Sequence, residues 1–249
     1  AFITTDGFRD VLELGRTTRL MPNTLYDPYF IRPEPLVKRS YRRTINERVL
    51  SDGSVAAPLD EEALAGVAQE LKAQGVESVA VGFINAYRNP ANENAAYKVL
   101  KKYFEFVTSS TEVLNEVREF ERFSAGSINA YVMPVMARYS LKLTASVKER
   151  NKATSFYTVA SHGGLLSTPA VTAQPVRTIL SGPAAGIAAA VQMARALERP
   201  NLITYDMGGT STDVALVYDY QFPLKRETVL EGLIIKLPQL DIHSVGAGG

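Results

Sequence analysis

The sequence predicts an α/β protein built on a mainly parallel sheet. Helix-patterned stretches alternate with short apolar runs between residues 60 and 109. The run at 76–84 is almost unbroken in hydrophobicity, as a strand covered on both faces is. Turn residues punctuate the joins: Asp52-Gly53, Gly75 and Asn89-Pro90.

Taken in order, Thr4-Thr5-Asp6 reads as a helix start, with Phe8, Val11, Leu12 and Leu14 at partly helical spacing before Gly15. Pro22, Pro28, Pro33 and Pro35 then forbid regular structure over 19–35, where Tyr26, Tyr29 and Phe30 are expected to pack as anchors. Residues 36–49 are strand-like but carry Lys38, Arg39, Arg42, Arg43 and Arg48, which suits a solvated edge strand defended by charge. A helix over 60–74 places Leu64, Val67, Ala68 and Leu71 on one face, and Gly75 ends it. Residues 76–84 form a strand, a second helix runs from Asn89-Pro90 to Lys102, and 104–109 form a further strand. Residues 116–150 are helical, with a kink or split expected at Met133-Pro134 and an apolar stripe through Ile128, Val132, Val135, Met136, Tyr139, Leu143 and Val147. A domain boundary falls at about residue 124, separating 1–124 from 125–249.

Composition narrows the function classes. Across 249 residues, 46% hydrophobic and 21% charged content is ordinary for a globular protein. A net charge of +1 supplies no electrostatic reason for a nucleic-acid or membrane partner. The absence of cysteine excludes disulfides and thiolate metal sites. No apolar run approaches the roughly 18 residues that span a bilayer, and no secretory signal opens the chain, so a cytoplasmic location is expected.

The candidate chemistry centres on 202–217. A β-rich run ends at Asp206, meets Gly208-Gly209, passes Thr210, Ser211 and Thr212, and resumes after Asp213. Paired glycines free the backbone amides for an anion, the hydroxyls add donors, and a carboxylate beside them suits Mg²⁺. An ordinary hairpin is the alternative. A second polar cluster, Ser161-His162-Gly163-Gly164, follows a short strand at 156–160. Ser181 with Pro183 reads as an N-capped helix start, an anion site or simple packing. Asp241 and His243 lie two apart, which on a strand puts them on one face, where they hold a metal with Asp206 or His162, or only each other.

Asp206-Met-Gly-Gly-Thr-Ser-Thr-Asp213 resembles the second phosphate loop of the hydantoinase A/5-oxoprolinase family. Leu180-Ser-Gly-Pro-Ala-Ala-Gly186, Asp241-Ile-His-Ser-Val-Gly-Ala-Gly-Gly249 and Thr4-Thr-Asp-Gly-Phe-Arg-Asp-Val-Leu-Glu-Leu-Gly15 extend the resemblance in the family's order. The resemblance implies actin/Hsp70-like (ribonuclease H-like) ATPase lobes, incomplete at both ends, with the first phosphate loop lying before residue 1. It implies that 1–124 are the C-terminal part of the family's N-terminal domain and 125–249 the start of its catalytic domain. The implied activity is ATP-dependent hydrolysis of a cyclic amide, with ketone carboxylation or a non-catalytic ATP switch as alternatives. Asp206 and His162 are the implied catalytic residues. Gly208, Gly209, Thr210, Thr212, Asp213, Gly246, Gly248 and Gly249 would meet ATP; Asp241, His243 and Asp206 would meet Mg²⁺, Mn²⁺ or Zn²⁺. Implied partners are a cyclic amide and a hydantoinase B-type subunit or domain in an oligomer, and the 249 residues alone are expected to be inactive.

Overall fold

A computed structural model describes residues 1–15, 27–29, 31, 33–230 and 232–247. The chain forms two compact units that part between Pro134 and Val135, with residues 229–236 grouped in the first. The elements of the first unit are β1 (Phe2–Thr5), α1 (Val11–Leu14), β2 (Arg42–Ile45), β3 (Arg48–Val49), β4 (Val55–Ala57), α2 (Glu61–Ala73), β5 (Ser78–Gly82), α3 (Ala91–Leu100), β6 (Phe106–Ser109) and α4 (Ser110–Val113). The helix α5 (Glu119–Arg150) follows. Then come β7 (Tyr157–Val159), β8 (Leu165–Ser167), α6 (Thr168–Ala173), α7 (Ser181–Ala196), β9 (Leu202–Met207), β10 (Thr212–Val217), β11 (Leu224–Lys225), β12 (Thr228–Leu230), β13 (Leu233–Ile235), β14 (Gln239–Leu240) and β15 (His243–Val245).

The first unit is the expected parallel layer. Its four-stranded sheet runs β2-β1-β5-β6, and each neighbouring pair is parallel. Alternation along β1 and β5 sends side chains to both faces. Ile3, Val79 and Val81 join Leu64, Leu71 and Leu100 of α2 and α3 in one core. Phe2 and Ala80 meet Phe123 and Ala130 of α5 in another. Covering both faces is why the 76–84 run reads as unbroken apolar sequence. Asp60 caps α2 by accepting from the Ala63 amide, as an N-cap carboxylate does.

Past the carboxyl ends of these strands lies a buried polar network. Glu93, fully buried, accepts from the Phe83 and Thr111 amides, from the Ser110 hydroxyl and from Arg122. Arg122 is also fully buried and donates to the Phe83 carbonyl at 2.8 Å. Burial pushes the Glu93 carboxyl up from its ordinary value, while Arg122 pulls it down.

Several expectations are corrected here. Thr4 and Thr5 are fully buried strand residues, and the short helix starts at Val11 instead. Strand pairing on both sides of β1 overrides the local capping pattern. Arg42, on the edge strand, is only 2% exposed; it donates to the Val37 carbonyl and pairs with Glu13. Arg39 forms a two-pronged pair with Asp10. Acidic residues around α1 thus consume part of the basic cluster expected to face water. Tyr29 is 88% exposed, not an anchor; Pro22, Tyr26 and Phe30 lie outside the described residues. The helix α5 is continuous through Pro134. Beyond it Val135 and Tyr139 are exposed while Ala137 and Ser140 are buried, so small residues, not the large apolar stripe, mark the inner face.

In the second unit, β9, β10 and β15 form a three-stranded sheet in the order β15-β10-β9, antiparallel throughout. Its core joins Ala215 and Val217 to Ala184, Ile187 and Val191 of α7. The second unit is therefore helix on antiparallel sheet.

Candidate functional site

The predicted strand–turn–strand is present. β9 and β10 pair from Leu202↔Val217 to Met207↔Thr212, and the Gly208 amide donates to the Ser211 carbonyl at 2.8 Å to close the turn. Gly208, Gly209 and Thr210 are exposed. A side chain at Gly209 would meet nothing within 4 Å, so the tip is open to a ligand.

Register decides what shares a face. Asp213 lies opposite Asp206 on one side and Ser244 on the other. Directly opposed residues in antiparallel strands project to the same face, so both carboxylates stand together on the side packed by α7. There they line a cleft of about 590 Å³ together with Pro183 and Gly186 at the start of α7. Asp206 is exposed; the Asp213 carboxylate accepts from the Ser244 hydroxyl. Mg²⁺ bound by one or two carboxylates, phosphate oxygens and water fits this donor set.

Thr212 differs from its expected role. It is only 3% exposed, and its hydroxyl donates to the Ala247 carbonyl rather than facing the turn. Thr212 also lies opposite Val245 in the sheet, so Gly246 and Ala247 follow β15 beside the Gly208–Ser211 turn. Gly246 is exposed there; Gly248 and Gly249 lie outside the described residues. Ser244, not foreseen as a partner of Asp213, stood inside the Asp241–Gly249 motif, but only the strand register pairs it across 31 residues.

His162 occupies the turn between β7 and β8. Its Nδ1 accepts from the Gly164 amide at 3.2 Å, so in the neutral ring Nε2 carries the proton. That tautomer donates a hydrogen bond from Nε2 and does not ligate a metal there. Asp241 lies just before β15, not on it, and forms a 2.6 Å ion pair with Lys225. His243 Nε2 is 3.8 Å from the same carboxylate. Among the described residues no group of three or more His, Asp or Glu side chains gathers to hold a metal. Ser181 is the first residue of α7 rather than its cap; Leu180 precedes it in the left-handed conformation, with φ of 61°.

A glycine turn, two opposed carboxylates and a second glycine segment meet at one sheet end on an α/β frame. The hydantoinase/oxoprolinase family model matches residues 122–249, and that of the hydantoinase/oxoprolinase N-terminal region matches residues 1–104. The chain belongs to the hydantoinase/oxoprolinase family. It is 34% identical to the caprolactamase subunit alpha of Pseudomonas jessenii, over 98% of this chain and 35% of that one. The crystal structure of the ATP-dependent caprolactamase from that organism superposes with a TM-score of 0.86 at 33% identity, over 100% of this chain and 36% of that one. The 5-oxoprolinase of Saccharomyces cerevisiae is 30% identical over 100% of this chain and 21% of its own length. A nucleotide-free acetone carboxylase structure, from work on ATP-dependent acetone carboxylation, superposes with a TM-score of 0.81 at 27% identity, over 100% of this chain and 36% of that one. The chain thus spans about a third or less of these relatives. Among the described residues no helix is long and apolar enough to cross a membrane.

Proposed function

We propose that this chain supplies the ATP-binding part of an enzyme that hydrolyses a cyclic amide at the expense of ATP. The observation that carries the reading is the meeting of the Gly208–Ser211 turn, Asp206, Asp213 and Gly246 at one end of the β15-β10-β9 sheet. The likeness to caprolactamase and 5-oxoprolinase supplies the lactam. A lactam is a poor electrophile because amide resonance stabilises it and nitrogen is a bad leaving group. ATP, when bound, supplies the phosphoryl group that makes the amide oxygen's carbon open to water.

The chain's own residues position and neutralise. The Gly208 amide closes the turn, and the amides of Gly209 and Thr210 with the hydroxyls of Thr210 and Ser211 receive phosphate oxygens. Asp206, with Asp213 beside it, would hold a magnesium ion that neutralises phosphate charge. Gly246 leaves room for the nucleotide. His162 donates from Nε2 to a substrate oxygen. Residues 1–124 form the end of an N-terminal domain and 125–249 the start of a catalytic one. A hydantoinase B-type partner and cytoplasmic residence complete the proposal. Ketone carboxylation is the second reading, favoured by the likeness to acetone carboxylase.

The test is phosphate release by the full polypeptide with its B-type partner, against lactams, hydantoins and ketones. Ring opening coupled to phosphate release, lowered roughly a hundredfold or more by Asp206→Asn, is expected. Bicarbonate-dependent ketone consumption would move the assignment to a carboxylase. Nucleotide binding without turnover of any substrate would leave a switch module.

A further inference from the structure

Thr212 stands where the two glycine segments meet, yet its side chain faces protein. Its hydroxyl donates to the Ala247 carbonyl, and the residue is 3% exposed. A threonine hydroxyl has one proton to donate, and phosphate oxygens at neutral pH accept. A proton committed to Ala247 is therefore not available to a phosphate. The exposed Thr210 retains a hydroxyl free of that bond.

The contact joins segments 35 residues apart in sequence. On one side, the Gly208–Ser211 turn is closed by the Gly208 to Ser211 bond at 2.8 Å. On the other, the Ala247 amide folds back onto the Val245 carbonyl at 2.7 Å. One residue along, Ser244 and Asp213 make a parallel tie on the opposite face of the sheet. We infer that Thr212 is a positioning residue that couples the Gly246–Ala247 segment to the phosphate turn, so that a nucleotide meets both as one preformed surface. This rests on the ATP reading of the site.

The consequence separates coupling from contact. Without the tie, a ligand that touches one segment loses nothing, whereas a ligand that spans both must order them as it binds. ATP spans both; tripolyphosphate meets only the turn. Calorimetric titration of the full polypeptide with each ligand, for wild type, Thr212→Val and Thr212→Ser, reads this directly. Thr212→Val keeps the shape and removes the hydroxyl. It is expected to weaken ATP on the order of fivefold to tenfold, to leave tripolyphosphate affinity at its wild-type value, and to be rescued by Thr212→Ser. Parallel loss of both ligands would mean that Thr212 acts on phosphate itself, and would overturn the inference. So would ATP affinity that is unchanged in Thr212→Val. If Thr212→Val does not fold, Thr212→Ser decides: an ATP loss there, with the hydroxyl retained, overturns the coupling role. A wild-type polypeptide that binds no ATP overturns the site reading instead, so the two failures are distinct.

Discussion

A Cβ added at Gly164 would lie 2.5 Å from Cε1 and 3.0 Å from Nδ1 of His162. Gly164 therefore does two things for the imidazole: its amide sets the tautomer, and its missing side chain admits the ring. Gly164→Ala is expected to displace His162 and lower lactam-dependent phosphate release by roughly tenfold or more, since small misplacements of a reacting group are costly. Circular dichroism melting should change little, because this contact is local and half-exposed. Unchanged turnover would remove His162 from the chemistry. The pair also shows what residue types can tell. His162 beside two glycines was legible as a candidate, but whether it bonds through Nδ1 was set by the turn. Thr212 makes the same point with the opposite outcome: a hydroxyl in a phosphate motif is legible, its direction is not.

Among the elements, β5 closes on a contact as tight. A Cβ at Gly82 would stand 2.5 Å from Cδ1 and 2.7 Å from Cε1 of Phe123, and 3.2 Å from Phe2. Both rings are fully buried, with centroids 5.1 Å apart. Neither can turn aside without disturbing the packing of α5 on the sheet. Gly82→Ala is expected to cost about 1–3 kcal/mol through overpacking, read as a lower urea midpoint at unchanged slope. A midpoint equal to wild type would show that α5 yields freely. The strand itself was readable from its apolar run; the reason for glycine at its end was not, because Phe123 belongs to a helix 41 positions later in the numbering.

Across the parallel-sheet unit as a whole, Glu93 and Arg122 tie α3, α5, β5 and α4 through one buried charge pair. Arg122→Met should remove the cation and leave a buried carboxyl, at about 3–5 kcal/mol of stability. Burial then acts on Glu93 with less opposition, and its folded pKa lies above its unfolded value. In that window the folded state binds the extra proton, so the stability of Arg122→Met should rise relative to wild type as pH falls toward the ordinary carboxylate range. Thermal melts of both proteins across pH 4 to about 8 check the sign; a constant difference between them would refute it. Glu93→Gln combined with Arg122→Met should recover part of the loss.

The amino-acid sequence by itself determined the layering of the first unit, the strand–turn–strand around Gly208-Gly209 and the family, because periodicity, turn chemistry and motif order are local or linear properties. Tertiary structure alone decided that Asp206 faces Asp213, that Thr212 holds Ala247, that Lys225 occupies Asp241, and that Arg42 is buried among acids. Each of those outcomes depends on strand register or on partners distant along the chain, and a hydrogen bond across 35 residues leaves no periodic trace in either segment.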